Sequence, residues 1–484
     1  MTPSITRRTL LAGGVAAVAA PGSTAVARDR TPPPPTWRSA SVHDPDLVRS
    51  GRWSYVFGSH AAFARTDDLL VWEQLAGDGL AASPLFEDGP AELAEALEWA
   101  RAETLWAPGV TRLADGRWAC YYCACEGTSP RSALGLALAD SVTGPYRDAG
   151  LLLRSGMGQG EEDPTSEDGT PYDARVHPNV IDADLVTDAE GVPWMVYGSF
   201  SGGIFLLELD PASGRPRPGQ GYGQHLMGGN HARIEGPAVL HHPGTGWYYL
   251  FVTFGGLDAD GGYNVRVARA RRLSGPWLDA EGTDMSTVAA DPDLPLFDDV
   301  SIAPHGVKLL GNHQFRTPTG GPGHGYVSPG GVSAELDPNT GEPFLVFHTR
   351  FPGQGERHEL RTHPMAITAD GWPLVLPLPY DGRSDPRPVR GSDVPGRYQV
   401  VHHRKPITPE VATPVEVELH RDGRVSGGLQ GRWRPAGRSR AVLDLADGRH
   451  QAVLARQWSA DAGGLRTTFA ALAPDGTTSA GVGI

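Results

Sequence analysis

Between residues 44 and 347 the sequence repeats one unit five times: a short apolar strand, a turn bearing glycine, then a second strand rich in aromatic residues. The first copy is Asp44-Pro45-Asp46-Leu47-Val48, a turn at Gly51, and Trp53–Phe57. The second opens at Pro108, turns at Asp115-Gly116 and continues from Trp118. The third opens on Asp182-Ala183-Asp184-Leu185-Val186, the fourth at Pro237, the fifth at Pro329, with turns at Gly191, Gly246 and Gly341. A third strand is predicted after each copy, at 62–65, 133–139, 203–209, 264–270 and 358–367. One small sheet cannot bury both its faces, whereas a ring of sheets can, so the repeat predicts an all-β fold with a five-bladed β-propeller. A β-sandwich with coincidental turns is the blander reading. Gly and Pro, about a fifth of the chain against an ordinary ~12%, agree with many short strands and exclude a long-helix protein.

The repeats predict a propeller domain over 41–380. A turn-rich linker follows at 381–395. A second all-β stretch, 396–484, has candidate strands at 397–402, 415–420, 431–435, 440–445, 451–457 and 465–472, which suggests a small antiparallel barrel or sandwich. At the other end, Thr6-Arg7-Arg8-Thr9-Leu10-Leu11, an apolar run and Ala25-Val26-Ala27 read as a secretory signal of twin-arginine type over 1–27. Residues 28–40, with Pro32 to Pro35, read as a stiff spacer. The expected destination is outside the cell, with no membrane association once the signal is removed, and a monomer is expected.

The formal charge of −14 argues against nucleic acid, anionic lipid or polyanionic polymers as partners and permits a neutral substrate. Removing the signal deletes two arginines and no acid, so the mature chain is more acidic still. Of the basic residues only Lys308 and Lys405 are lysine. The three cysteines, Cys120, Cys123 and Cys125, crowd one strand, with Cys123 and Cys125 on one face and Cys120 on the other. That spacing suits buried free thiols better than a disulfide framework or a zinc site.

Mapped onto the repeat, Asp44 and Asp182 occupy the same place in their Asp-x-Asp-Leu-Val strands, and Glu235 stands just before the fourth inner strand. The first strand of each propeller blade lines the central channel, so these three carboxylates should converge near the axis. Such a cluster suits glycoside hydrolysis: one carboxylate takes a proton from water and another gives one to the leaving oxygen. Clustered like charges raise one pKa and keep the acid protonated. Taken singly, each acid could equally cap a turn or hold a structural cation. Asp258-x-Asp260 does not make an EF-hand, because Arg269 stands at the twelfth position.

Five motifs then occur in a telling order: Val42-His43-Asp44-Pro45, Trp106-Ala107-Pro108, His177-Pro178-Asn179-Val180-Ile181-Asp182, Ile234-Glu235-Gly236-Pro237 and Gly321-Pro322-Gly323-His324. Over residues 41–380 the chain resembles glycoside hydrolase family 43, in particular its arabinan endo-1,5-α-L-arabinosidases of the longer type with a C-terminal β-barrel. Leu257 to Asn264 and Phe347-His348-Thr349-Arg350-Phe351 also look like that type. The resemblance implies a secreted, inverting hydrolase of plant cell-wall arabinan. Asp44 would be the general base, Glu235 the general acid, and Asp182 the residue that raises the pKa of Glu235 and orients it. It implies a sugar cleft lined by Asp44, Asp182, Gly127, Asn179 and Ser199, and one channel cation, usually calcium, faced by His324. Trp106 could offer its face to a furanose ring or simply pack, and Arg350 is a weaker sugar contact. His43 and His177 read as hydrogen-bonded positioners. An exo-acting α-L-arabinofuranosidase or β-xylosidase on the same scaffold stays open, as does a propeller that binds polysaccharide without cutting it. The cysteine-bearing strand and the acidic segment 156–173 depart from the family's pattern and could alter subsite preference or narrow the groove.

Overall fold

The computed structural model describes residues 33–77, 79–158, 163–166, 169–382 and 388–484. The signal segment, most of the spacer, and parts of the acidic segment and the linker lie outside them.

Five sheets follow one another along the chain, and in each the strands are antiparallel and paired in sequence order. The inner strands are Asp46–Ser50, Leu105–Arg112, Asp184–Thr187, Ile234–His242 and, on the fifth sheet, the latter part of Pro322–Leu336. Each pairs with the aromatic strand that the repeat anticipates, for example Trp53–Phe57 in blade one and Trp247–Phe254 in blade four. The fifth sheet has five strands because His313–Arg316 adds itself ahead of the inner strand.

Period-2 alternation builds the cores between blades. On Trp118–Cys125, Cys120, Tyr122 and Ala124 face blade one and pack with Tyr55, Phe57 and Phe63. Ala119, Tyr121, Cys123 and Cys125 face blade three and pack with Met195, Tyr197 and Leu207. Three further cores join blades three and four, four and five, and five and one. Each buried Tyr or Phe contributes roughly 1.5–3 kcal/mol. The thiols are free and buried, divided between two cores as the alternation requires. The two similar turns after the third strands of blades two and four are fastened alike, with Tyr146 Oη donating to Val142 O and Trp277 Nε1 donating to Leu273 O.

The sequence reading missed a helical excursion after blade one, Gly89–Glu92 and Ala94–Ala100, whose Leu93, Ala96 and Ala100 enter the first inter-blade core.

The C-terminal stretch is a closed eight-stranded barrel from Gly396–His403 to Thr478–Gly483, and these two strands pair to close it. Alternation works on both sides of its wall. Leu454 and Phe469 point into the barrel, while Val453, Ala455 and Ala470 pack outward against Leu374 and Leu376 of the propeller. The polar part of this seam uses both of the chain's lysines. Lys308 Nζ donates to Pro406 O at 2.9 Å, and Lys405 Nζ donates to Pro304 O at 2.8 Å and Gly306 O at 2.6 Å. The fully buried Arg266 joins them, donating to Ala303 O and to Lys405 O.

Candidate active site

At the entry to each inner strand one residue turns into the left-handed region. These are Asp44 (φ 50°), Ala107 (φ 30°), Asp182 (φ 60°), Gly236 (φ 58°) and Gly331 (φ 50°). Together with the residues after them they line the narrow axial cavity where the five blades meet. Two of the five are glycine, and aspartate is among the few other residues that tolerate this conformation. Glu235 therefore stands one position ahead of the ring that Asp44 and Asp182 occupy. Asp182 and Glu235 precede Trp194 and Trp247 by equal spacing, but Trp194 pairs with Val186 and Trp247 with His242, so the two tryptophans are not equivalent and that spacing conceals the offset.

The three acids nevertheless share one environment. Asp44 Oδ2 accepts from Ser59 Oγ and from His43 Nδ1, each at 2.7 Å. The Asp44 N–H donates to His348 Nδ1 at 3.1 Å, and the His43 and His348 rings stack with centroids 3.7 Å apart. Burial alone would raise the Asp44 carboxyl, but His43, by charge and hydrogen bond, with His348 and Ser59, holds it well below the usual carboxylate range. Asp44 is thus ionised.

Glu235 and Asp182 go the other way. Burial raises Glu235, the negative charge of Asp44 adds to it, and hydrogen bonding from Ser199 and Tyr263 opposes it. Ser199 Oγ donates to Glu235 Oε2 at 2.7 Å. Asp182 is raised well above its ordinary value by burial and by the charges of Glu235 and Asp44, against the Gly236 N–H that donates to its Oδ2 at 3.0 Å. The site thus favours the charged form of Asp44 and the protonated form of the Asp182–Glu235 pair, the opposed tendencies that a base and an acid need.

Around the trio, Trp106 lies half-buried with Nε1 donating to Cys125 O, and the Gly127 Cα faces its ring so closely that a Cβ there would sit 3.3 Å from it. Asn179 and Ser199 form an isolated bridge, and Ser132 Oγ and Ser155 Oγ hold the Asn179 side chain from below. Cys125 Sγ accepts from the Gly127 N–H at 3.2 Å, so the unusual cysteine supports the cleft floor from a buried position. Arg350, almost fully buried, is paired with Glu356 through Nε.

A model of the glycosyl hydrolases family 43 matches residues 39–298, and a model of a C-terminal lipocalin-like domain matches residues 377–481. The chain belongs to glycosyl hydrolase family 43. It is 48% identical over 424 residues to "Extracellular endo-alpha-(1->5)-L-arabinanase 2" of Bacillus subtilis (strain 168), covering 88% of this chain and 89% of that one. It is 42% identical to an "Extracellular endo-alpha-(1->5)-L-arabinanase" of Thermotoga petrophila, covering 93% and 94% of the two chains. Among solved structures, the glycoside hydrolase family 43 YxiA protein from Bacillus licheniformis superposes with a TM-score of 0.88 at 46% identity, over 93% of this chain and 99% of that one. Endo-1,5-alpha-L-arabinanase from Thermotoga petrophila RKU-1 superposes with a TM-score of 0.87 at 42% identity, over 93% and 100%.

One expectation drawn from the family 43 resemblance fails on position. His324 does not face the channel. It precedes the inner part of its strand, among the rings of His313, Phe315, Tyr326 and His363, and its N–H donates to Asp461 of the barrel. It lines a cavity of the propeller–barrel seam that also includes Trp37, Leu378 and Trp458. The histidine beside the acids is His348, on the neighbouring strand Pro343–Arg350. His43, Asp44 and His348 each bring a ligating atom within 4.8 Å of the others, and Nε2 of both histidines is buried without a hydrogen-bond partner. His348 Nδ1 already accepts from the Asp44 N–H, which puts that ring's proton on Nε2 and leaves His348 no lone pair for a metal. A hard ion such as calcium would find a single carboxylate there, one of whose oxygens is already taken by His43 and Ser59, so these residues do not fit it.

Besides His348, the sequence reading gave no role to Ser59 and Tyr263. The motif around His348 was visible, but its location on a middle strand hid it. Ser59 and Tyr263 carry no sequence signal of their own.

Proposed function

We propose that this chain is a secreted hydrolase that cuts α-1,5-L-arabinofuranosidic bonds within arabinan, with inversion. The observation that carries the reading is three buried carboxyls at one channel mouth set in opposed directions: Asp44, bound by His43 and Ser59, is lowered, while Glu235 and Asp182 are raised. The names of the two long relatives support the substrate, the internal cutting and the extracellular location.

Ser59 and His43 occupy Oδ2 of Asp44, so Oδ1 is the oxygen free to take a proton from water. As the water oxygen bonds to the anomeric carbon, the bond from that carbon to the leaving oxygen breaks and Glu235 delivers its proton to that oxygen. Asp182, whose carboxyl is raised by burial and by the charge of Glu235, shares a proton with Glu235 as a coupled pair. An inverting pair stands ~6.5–9.5 Å apart to admit the water. Trp106 and Gly127 form one wall of the sugar cleft, Asn179 and Ser199 the other. Export through a twin-arginine-type signal completes the reading; among the described residues no helix is long and apolar enough to cross a membrane.

The test is the product time course on linear arabinan, with anomeric configuration read by NMR. Oligosaccharides of mixed length appearing first, with inverted configuration, support the proposal. Arabinose alone at early times overturns the internal cutting, and retention overturns the assignment of Asp44 as base.

A further inference from the structure

After its third strand, Asn264–Ala270, blade four departs on a long excursion before returning as Val307–Leu310. Part of it climbs to the mouth of the channel. Ala290 N–H donates to Gly229 O at 3.2 Å, Asn230 Nδ2 donates to Ala290 O at 3.0 Å, and Arg233 pairs with Asp299 through two nitrogens. Arg233 is two residues from Glu235. The loop is held internally as well: Asp298 N–H bonds Pro295 O, Ala303 N–H bonds Asp299 O, and Ile302 is fully buried as its anchor.

Against that fixed frame, three large apolar side chains face outward: Leu296 at 65% exposure, Phe297 at 46% and Val300 at 71%. Phe297 is also held at φ 66°, an unfavourable conformation for an aromatic residue that the loop maintains. Its ring meets Phe200 edge-on at 5.6 Å. Phe200, itself at φ 47°, directly follows Ser199, whose hydroxyl holds Glu235. The exposed apolar surface is thus continuous with the group assigned as general acid.

We infer that Phe297, backed by Phe200 and flanked by Leu296 and Val300, is a binding platform for a pentofuranose ring on the leaving-group side of the scissile bond. The inference rests on the proposed function. A general acid stands beside the oxygen it protonates, so sugars on the acid's side are those that depart. A furanose presents an apolar face of carbon-bound hydrogens to an aromatic ring, while the neighbouring Asp293 and Asp298 suit a neutral hydroxylated chain and disfavour a polyanion. Because the loop is pre-ordered, little entropy is lost on binding.

The experiment compares the full-length protein with Phe297→Ala and Phe297→Trp on linear arabino-oligosaccharides of three to six units, reducing-end labelled, with Glu235→Gln as control. Expected is a drop in kcat/KM for the hexamer about tenfold greater than for the trimer in Phe297→Ala, carried by KM. The cleavage position should shift, the melting temperature should hold, and Phe297→Trp should restore the pattern. An equal loss at every length, an unchanged cleavage pattern, or dimerisation of the parent that Phe297→Ala abolishes would each overturn the inference. Full activity in Glu235→Gln would overturn the underlying reading instead.

Discussion

The backbone N–H of Asp44 donates to Nδ1 of His348, 304 residues further along the chain, and the ring of His348 stacks on that of His43, the residue preceding Asp44. Blade five thereby fixes a residue of blade one from both its backbone and its neighbour. The proposed base takes its position, and part of its low pKa, from the last blade of the ring.

Replacing His348 by Ala should therefore reduce kcat by about 10–100-fold, in the range seen when the groups that orient a site are lost. It should also move the acid limb of the pH–rate profile upward, because His348 is one of the groups that lower the Asp44 carboxyl. Its counterpart His324→Ala should leave that limb in place, since His324 lies in the seam. Chelation should leave activity and melting temperature unchanged, since His43, Asp44 and His348 do not fit a cation. A loss in either, with a metal found by elemental analysis, would place a cation elsewhere in the channel.

Glu235→Gln should cost about 10²–10⁴ in kcat on linear arabinan while the fold persists. Asp182→Asn should lower kcat and shift the alkaline limb downward, because it removes one of the two coupled carboxyls between which the proton is shared. Steady-state pH profiles of both variants check this. A limb unmoved in Asp182→Asn would mean that Asp182 acts in another way.

A second layer of acids lies further along the axis. Asp46 Oδ2 accepts from Val110 N–H at 2.7 Å and Asp184 Oδ2 from Val239 N–H at 2.9 Å, so each clasps the next blade. Burial pushes Asp184 and Glu335 up to about 7, and Asp46 is raised well above its ordinary value by burial and the charges of Asp184 and Glu335. A raised carboxyl in the folded state gives stability that is full below the unfolded pKa, near 4, and is lost as pH rises toward 7. Asp184→Asn, which keeps the acceptor, should raise the melting temperature by a few degrees at pH 8 and change it little at pH 4. Scanning calorimetry across that range decides it.

Lys405→Ala should leave the carbonyls of Pro304 and Gly306 without their donor inside the seam. The expected cost is about 1–3 kcal/mol. Thermal unfolding followed by near-ultraviolet circular dichroism should show the loss. A surface alanine substitution such as Arg404→Ala serves as reference and should change stability by less than about 0.5 kcal/mol.

Much of this was legible because the blade hairpins carry strong local signals: a turn glycine, then an aromatic strand that must be buried on both faces. The outer strands Glu73–Ala76 and Gln224–Met227 carried none, being short and partly exposed. The barrel strand Thr478–Gly483 was missed because Gly481 is small for a reason that only the fold supplies: a Cβ there would lie 2.2 Å from the Phe469 ring. Among the acids, repeat register brought Asp44 and Asp182 together and misplaced Glu235 by one residue, since the tryptophans it was counted from, Trp194 and Trp247, pair at different distances from the ring. His348 was beyond reach because it stands opposite Gly330, at a break in strand pairing that lets it face the axis. Gly331 there must lack a side chain, as a Cβ would meet Asp44 Oδ1 at 2.4 Å.

The left-handed residues at the channel mouth come one from each blade, and the groups that matter beside them belong to blades one, three, four and five. A chain still emerging, or one whose last blade has not met the first through Leu47 N–H and Ser333 Oγ, holds every reactive side chain yet no reactive centre. Half-made copies should be inert, and the appearance of hydrolysis should itself mark the moment the circle shuts.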